Sequence, residues 1–244
     1  MTDRYESFEV QLKNFDHEVS LVAQYLYAEL AIQHSAFKSR KLLKKLNETP
    51  RFWTVCGAAL QMSAFISLGR IFDEGSPFNL IKLLKSMESN VDIFQRDALA
   101  KRKMQGQLLA PEWLDSYLDN AYYPTADDFR GLRKIVKTYK ATYKEAIKPV
   151  RDKYYAHREF EDTSDVQALF ARVALHEILN LSVALLELSE VLWQLLHNAR
   201  RPKIKQRRYA IKTIFESKKR TNAANEAMVS EVKKLMEALV LSDI

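Results

Sequence analysis

One apolar pattern narrows the fold more than any other feature of this chain. From Leu169 to Leu196 the residues Leu169, Val173, Ile178, Leu181, Leu185, Leu188, Leu192 and Leu196 recur mostly at intervals of three and four, on one side of a helix and over far more than a strand's length. A stripe that long must be covered by other helices, so the segment is expected to be the central core helix, capped by Thr163, Ser164 or Asp165. The same spacing returns at Phe8, Leu12, Phe15, Val19, Val22, Leu26 and Leu30, marking one long amphipathic helix or two in series up to about Lys45. Five Gly and six Pro among 244 residues leave little room for strands and their turns. The fold class is therefore all-α, in a chain long enough to bury a substantial core.

Local signals divide the chain further. Asn47-Glu48-Thr49-Pro50 ends the first helical region, and Thr49 is placed to cap a helix that has Pro50 at its first position and stops at Asp73-Glu74-Gly75. Ser76-Pro77 repeats the start signal for a short helix ending near Ser89-Asn90. A basic helical piece from Val91 to Met104 and a brief turn of helix after Pro111 follow, with a break at Tyr122-Tyr123-Pro124. Thr125, with Asp127 and Asp128 in the first turn, starts a helix to about Lys148. Pro149 then either kinks that helix or begins another, so the stretch just beyond lies beside a backbone discontinuity. Ala224 to Leu241 reads as a last amphipathic helix.

Charge sets the end of the chain apart. The formal net charge is +7, yet ten of the 38 Lys/Arg and only one acid, Glu216, fall between Arg200 and Arg220, which leaves the body near neutrality. The expected division is a helical bundle over 1–199 and a basic segment with its amphipathic helix over 200–244. A single cysteine, Cys56, cannot make an intrachain disulfide and fits a reducing cytoplasm. The start is polar and lacks a signal peptide's apolar core. The uncharged run Phe52 to Gly69 carries Thr54, Gln61, Ser63 and Ser67 and is read as a buried helix rather than a membrane span.

Chemistry concentrates in Arg151-Asp152-Lys153-Tyr154-Tyr155-Ala156-His157-Arg158. Arginine presents a permanently charged planar fork suited to phosphate, and histidine changes charge near neutrality. His157 could take a proton from a ribose 2′-OH or return one to a departing 5′-oxygen, while Arg151 would stabilise the charge that builds on phosphorus. Asp152 could orient either of them, and Tyr154 and Tyr155 could pack or stack on bases. On an ideal helix six steps leave Arg151 and His157 roughly 120° apart, which hints at a site shared by two copies across a twofold axis. Beside this stands the plain alternative, a solvated helix face on which Lys153, Arg158, Glu159 and Glu161 make neighbouring ion pairs. His157 with Glu161, and His176 with Glu177, lack a third metal ligand, and no glycine-rich phosphate loop is present, so neither metal nor cofactor is expected.

The stretch resembles the Arg-polar-x-x-x-x-His signature of the HEPN superfamily, small all-helical proteins found as ribonuclease toxins, abortive-infection proteins and inactive nucleotide-binding relatives. Arg151-Asp152-Lys153 followed by Ala156-His157-Arg158, together with Ser67-Leu68-Gly69-Arg70-Ile71-Phe72-Asp73, is similar to the abortive-infection U-type branch. The resemblance covers roughly residues 1–200 and leaves the basic segment outside. It implies a metal-independent endoribonuclease acting as a homodimer, with Arg151, Asp152 and His157 catalytic. Arg70 and Asp73 receive a structural role, as partners of charged groups. RNA would be collected by Arg158, Arg200, Arg201, Lys203, Lys205, Arg207 and Arg208, and an antitoxin or other defence-system protein is a further partner that the resemblance suggests. The alternative is a non-catalytic HEPN scaffold or a nucleotide- or RNA-binding protein.

Overall fold

Helix α1 (Thr2–Lys38) buries Phe8, Leu12, Phe15, Val19, Val22 and Leu26 along one face, because residues three and four apart line up on the same side of a helix. The computed structural model describes residues 2–77, 79–107, 109–156, 175–205 and 224–241, and among them there is no strand. Against α1 lie three further helices: α3 (Pro50–Phe72), α8 (Leu175–Asn198) and α9 (Ala224–Leu241). The organising helix is thus α1 as much as the Leu-rich α8, whose Leu181, Leu185, Leu188, Leu192 and Leu196 form the facing wall of the core. The expected caps Thr163, Ser164 and Asp165 lie outside the described residues.

The first helical region resolves into two elements in series. Ser39 interrupts it and caps α2 (Arg40–Leu46) by accepting a hydrogen bond from the Leu42 N–H at 3.2 Å. Thr49 and Pro50 do start α3, although the Thr49 side chain makes no capping bond. The basic piece divides into a 3₁₀ turn (Val91–Phe94) and α5 (Arg96–Lys103), and α6 (Leu114–Asp119) is the brief helix after Pro111. At the far end of the chain, Val229 of α9 sits in the main core with α1.

Two expectations need correction. The run Phe52 to Gly69 is not a buried helix throughout. The second half of α3 is buried at Ala64, Phe65, Leu68 and Phe72, whereas Phe52 and Val55 stand 60% and 66% exposed. Both α3 and α8 are long and apolar enough to cross a membrane, by length and composition only. The second correction concerns α4 (Leu80–Ser89), which starts three residues later than Ser76-Pro77 suggested. Buried Asn79 is its cap, accepting from the Lys82 N–H at 2.8 Å while its amide donates to the Asp73 carbonyl at 3.0 Å. The side chain satisfies the helix start and pins the loop after α3 in one stroke.

Helix α7 (Ala126–Thr142) packs on α4 and begins with a capping box, the Asp128 carboxylate accepting from the Thr125 N–H at 2.8 Å. It then runs on through two π-helical stretches, Tyr143–Ile147 and Val150–Ala156, on either side of Pro149. A proline has no N–H to donate and crowds the carbonyl four residues back; widening to i→i+5 pairing relieves both. The expected discontinuity is therefore a change of helical pitch within a continuous helix.

Asn79 gives the first test. Asn79→Ala removes the α4 cap and the tie to Asp73, and should lower the unfolding free energy by about 1–2 kcal/mol. Asn79→Asp keeps the capping oxygen but sets a carboxylate oxygen against the carbonyls of Asp73 and Ser76, so it should not restore wild-type stability, as read from urea unfolding midpoints.

Candidate functional site

Arg151 lies where the widened helix after α7 crosses the end of α3, and its guanidinium is held from three sides. Nε and Nη2 donate to Oδ1 of Asp152 at 2.8 and 2.5 Å, while Nη1 donates to Oδ2 of Asp73 and, at 2.6 Å, to the Tyr143 hydroxyl. That hydroxyl in turn donates to Oδ1 of Asp73 at 2.9 Å, closing a ring of Arg151, Tyr143 and Asp73. Lys148 completes the cluster, donating to Oδ2 of Asp152 at 2.5 Å across one turn. Four of the five guanidinium N–H groups are thus engaged, and one on Nη2 has no partner among the described residues.

Backbone shape allows this approach. A Cβ at Gly69 would overlap Nη1 of Arg151 and stand 3.1 Å from its Cζ, so the arginine crosses α3 only because position 69 has no side chain. The Tyr143 ring stacks on Phe72 with centroids 5.2 Å apart, which fixes the hydroxyl that bridges Arg151 and Asp73.

Electrostatics follow the geometry. Burial disfavours the Arg151 charge, but hydrogen bonds to Asp73 and Asp152 outweigh it and hold its pKa above the ordinary arginine value. For Asp152 burial pushes the pKa up, and the bonds from Lys148 and Arg151 more than reverse that, leaving the carboxyl below its usual range. Asp152 therefore contributes stability above the ordinary carboxylate pKa of about 3.9, and that contribution is lost as pH falls through its lowered folded value. Burial drives the Tyr143 phenol far above the normal tyrosine range, so it stays a neutral donor and acceptor.

The cluster opens onto a cavity of about 810 Å³, lined among others by Gly69, Asp73, Glu74, Lys140, Lys144, Lys148, Arg151 and Tyr155. Glu74, exposed on the loop after α3, accepts from Lys140 at 2.8 Å and lies 3.9 Å from Lys144. The Lys140 bond and the nearby lysines hold its carboxyl below the usual range.

Arg151 and Asp152 are thus brought together at a cavity, Asp152 orienting the arginine. His157 and Arg158 lie outside the described residues, as do Arg207 and Arg208. The 100° step behind the Arg151–His157 offset does not apply, because Val150–Ala156 is π-helical. Arg70 pairs with Glu18 at 3.1 Å, whereas Asp73 is the carboxylate that grips Arg151. Tyr155 packs edge-on against Phe65 and donates to Gln61 at 2.8 Å, while Tyr154 is exposed. Arg200, Arg201, Lys203 and Lys205 do not line this cavity, and Arg201 lies over the Tyr122 ring at 5.5 Å. Among the described residues no three His, Cys, Asp or Glu side chains are grouped to hold a metal ion. Sequence reasoning missed Tyr143 and Lys148; the four-residue interval from Lys148 to Asp152 was the available signal for the second.

An all-helical bundle with an arginine-carboxylate pair set late in the chain against the end of an earlier helix carrying Arg-x-x-Asp agrees with the HEPN resemblance of the sequence. The family model HEPN_AbiU2, described as AbiU2, matches residues 5–213, and the chain belongs to that family. The match runs past Arg200, so part of the basic segment lies inside it, contrary to the boundary that the motifs suggested. No curated protein and no solved structure matches the chain.

The overlap at Gly69 generates the second test. Gly69→Ala should destabilise the wild type by displacing the guanidinium. In an Arg151→Ala background the space is empty, and the same change should be neutral or stabilising by up to about 1 kcal/mol through helix propensity. Equal effects in both backgrounds, measured by urea unfolding, would show that the two positions do not compete for space.

Proposed function

We propose that this protein is a metal-independent endoribonuclease of the HEPN type, a toxin or abortive-infection protein of anti-phage defence acting in the cytoplasm. The observation that carries this reading is the fixed guanidinium at the wall of a cavity lined by lysines, Arg151 with Asp152 beside it, in a chain of the AbiU2 family. Arg151 stabilises the pentacoordinate phosphorane with its open N–H and full charge. His157 moves the proton. The ribose 2′-oxygen bonds to phosphorus, the bond from phosphorus to the 5′-oxygen breaks, the 2′-OH proton leaves to a base and the 5′-oxygen gains one. The products are a cyclic phosphate, open to hydrolysis to a 3′ phosphate, and a 5′-OH. The nucleophile belongs to the RNA, so DNA is spared.

One open N–H per chain is a thin electrophile, and a second copy would bring another. A homodimer with the motifs near its twofold axis fits that need, and the exposed Phe52, Val55 and Ile66 of α3 offer apolar surface toward it. Arg158, Arg200, Arg201, Lys203, Lys205, Arg207 and Arg208 add sequence-independent phosphate contacts, and an antitoxin or defence-system protein restrains the activity. The second reading, a non-catalytic HEPN scaffold or nucleotide- or RNA-binding protein, is favoured by one observation: four of the five N–H groups of Arg151 are already spent on its own chain.

A cleavage assay decides between them. Purified protein should cut mixed RNA in EDTA and leave 5′-OH ends, with Arg151→Ala and His157→Ala each abolishing cleavage at nearly unchanged helical content. Intact RNA with the wild type favours the scaffold, and activity restored only by a divalent ion would refute the metal-free chemistry. Sedimentation should give a dimer at working concentration; a monomer counts against the shared site.

The pH profile is a further test. Tyr155 is pushed up to about 12 by burial, Tyr143 lies higher still, and Asp152 is ionised well below neutrality. Between pH 5 and 9 the rate should therefore report one ionisation, that of the His157 imidazole. A second ionisation in that window would require a group outside this set.

A further inference from the structure

The cavity that ends at Arg151 has a wall of three ammonium groups, Lys140, Lys144 and Lys148, at intervals of four residues. The three follow one another along the same helix, which runs from α7 into the widened turns, and so succeed each other toward Arg151. The innermost, Lys148, is committed to Asp152 at 2.5 Å. The outer two share one carboxylate oxygen, Oε1 of Glu74, at 2.8 and 3.9 Å.

Glu74 is a weakly anchored occupant. Its side chain is 78% exposed on the loop between α3 and α4, so releasing it into water costs only the modest energy of exposed ion pairs. Lys140 is only 16% exposed, held against the cavity wall where an ammonium keeps its position whatever anion it meets. A single oxygen placed between two ammonium groups marks a point where a phosphate oxygen would be received equally well, and a phosphodiester brings two such oxygens.

We propose that Lys140 and Lys144 form a phosphate subsite for the RNA strand leading away from Arg151, and that Glu74 occupies it in the free protein as an internal competitor. This rests on RNA being the substrate. Binding is then an exchange, with the strand's phosphate displacing the Glu74 carboxylate, so the same loop that carries Asp73 to Arg151 also sets the affinity of the approach. The basic segment after Arg200 makes contacts of its own, separate from this subsite.

The test is fluorescence anisotropy with a short labelled 2′-O-methyl oligoribonucleotide, which offers phosphates but no nucleophile, titrated over a range of salt. The double variant Lys140→Gln/Lys144→Gln should lower the slope of log K against log salt by about 0.7, the loss of one single-strand phosphate contact, and weaken binding about fivefold near 0.1 M salt. Glu74→Gln should tighten binding. The pairs removed end on the exposed Glu74 carboxylate, and Gln keeps most of the aliphatic stem by which the largely buried Lys140 packs, so the variants should fold, as circular dichroism would record. An unchanged slope in the lysine variant, or unchanged or weaker binding with Glu74→Gln, would overturn the subsite. A slope altered only by Arg200→Gln/Arg201→Gln would overturn it too. The cleavage reading fails separately: a wild type that leaves unmodified RNA intact in EDTA, yet loses 2′-O-methyl binding through the lysine variant, would refute cleavage and uphold the subsite.

Discussion

The ring of Arg151, Asp73 and Tyr143 is the constraint on which the rest of the site depends. A guanidinium taken out of water is tolerated only when its donors are answered, and here the answering groups come from separate parts of the chain: Asp73 from the end of α3, Tyr143 from two turns earlier on its own helix, and Asp152 from the next residue. Helix packing makes that meeting possible. α3 is fixed by α1, α7 is fixed by α4, and Phe72 stacked on Tyr143 joins the two pairs at the level of the arginine. Removing one carboxylate would leave a partly buried charge short of a partner, which costs more than the pair contributes when whole.

Two backbone features translate that packing into a site. Gly69 lets an arginine from another helix lie across α3 at a distance no other residue would permit. The widened turns around Pro149 change the angular step between successive side chains in the stretch that carries Tyr143 and Arg151. Neither feature stabilises the fold by itself. A glycine in a helix and a departure from α pitch are both locally unfavourable, and their presence side by side at a mostly buried arginine held by two carboxylates argues that the position of Arg151 is what they serve.

Much of this was legible in the residues. The three-and-four spacing of Phe8 through Leu30 and of Leu181 through Leu196 gave the bundle and its buried faces, because burying apolar side chains is what chiefly drives folding and their periodicity reports it directly. The Arg151-Asp152 pair was legible as a charged couple next to Pro149, and the Arg-x-x-Asp ending of α3 as a partner for a cation. What could not be read was which cation Asp73 would meet, since that depends on how α3 and the end of α7 cross, a tertiary fact with no local signature. Tyr143 escaped for the same reason: a tyrosine at a buried helical position reads as core until its hydroxyl is found between two charges. The Asn79 cap was hidden by a stronger local pattern, Ser-Pro, which is a start signal only if the chain turns helical at once.

Charge balance around the cavity has a consequence for how the site can respond to an anion. Five cations line the cavity, Arg70, Lys140, Lys144, Lys148 and Arg151, and four carboxylates pair with them, Glu18, Asp73, Glu74 and Asp152. An arrangement so nearly neutral exerts little long-range attraction, and with screening of about 8–10 Å at physiological salt it would steer a distant strand weakly. At contact the balance matters in another way. The carboxylates that hold Arg151 are partly buried and hydrogen-bonded, whereas Glu74 is 78% exposed; in the phosphate subsite proposed above, the incoming anion would displace Glu74 and leave the carboxylates around Arg151 in place. On that proposal selectivity would arise from the unequal grip of the protein on its own carboxylates: those that position the arginine would stay, and the one that blocks the approach would leave.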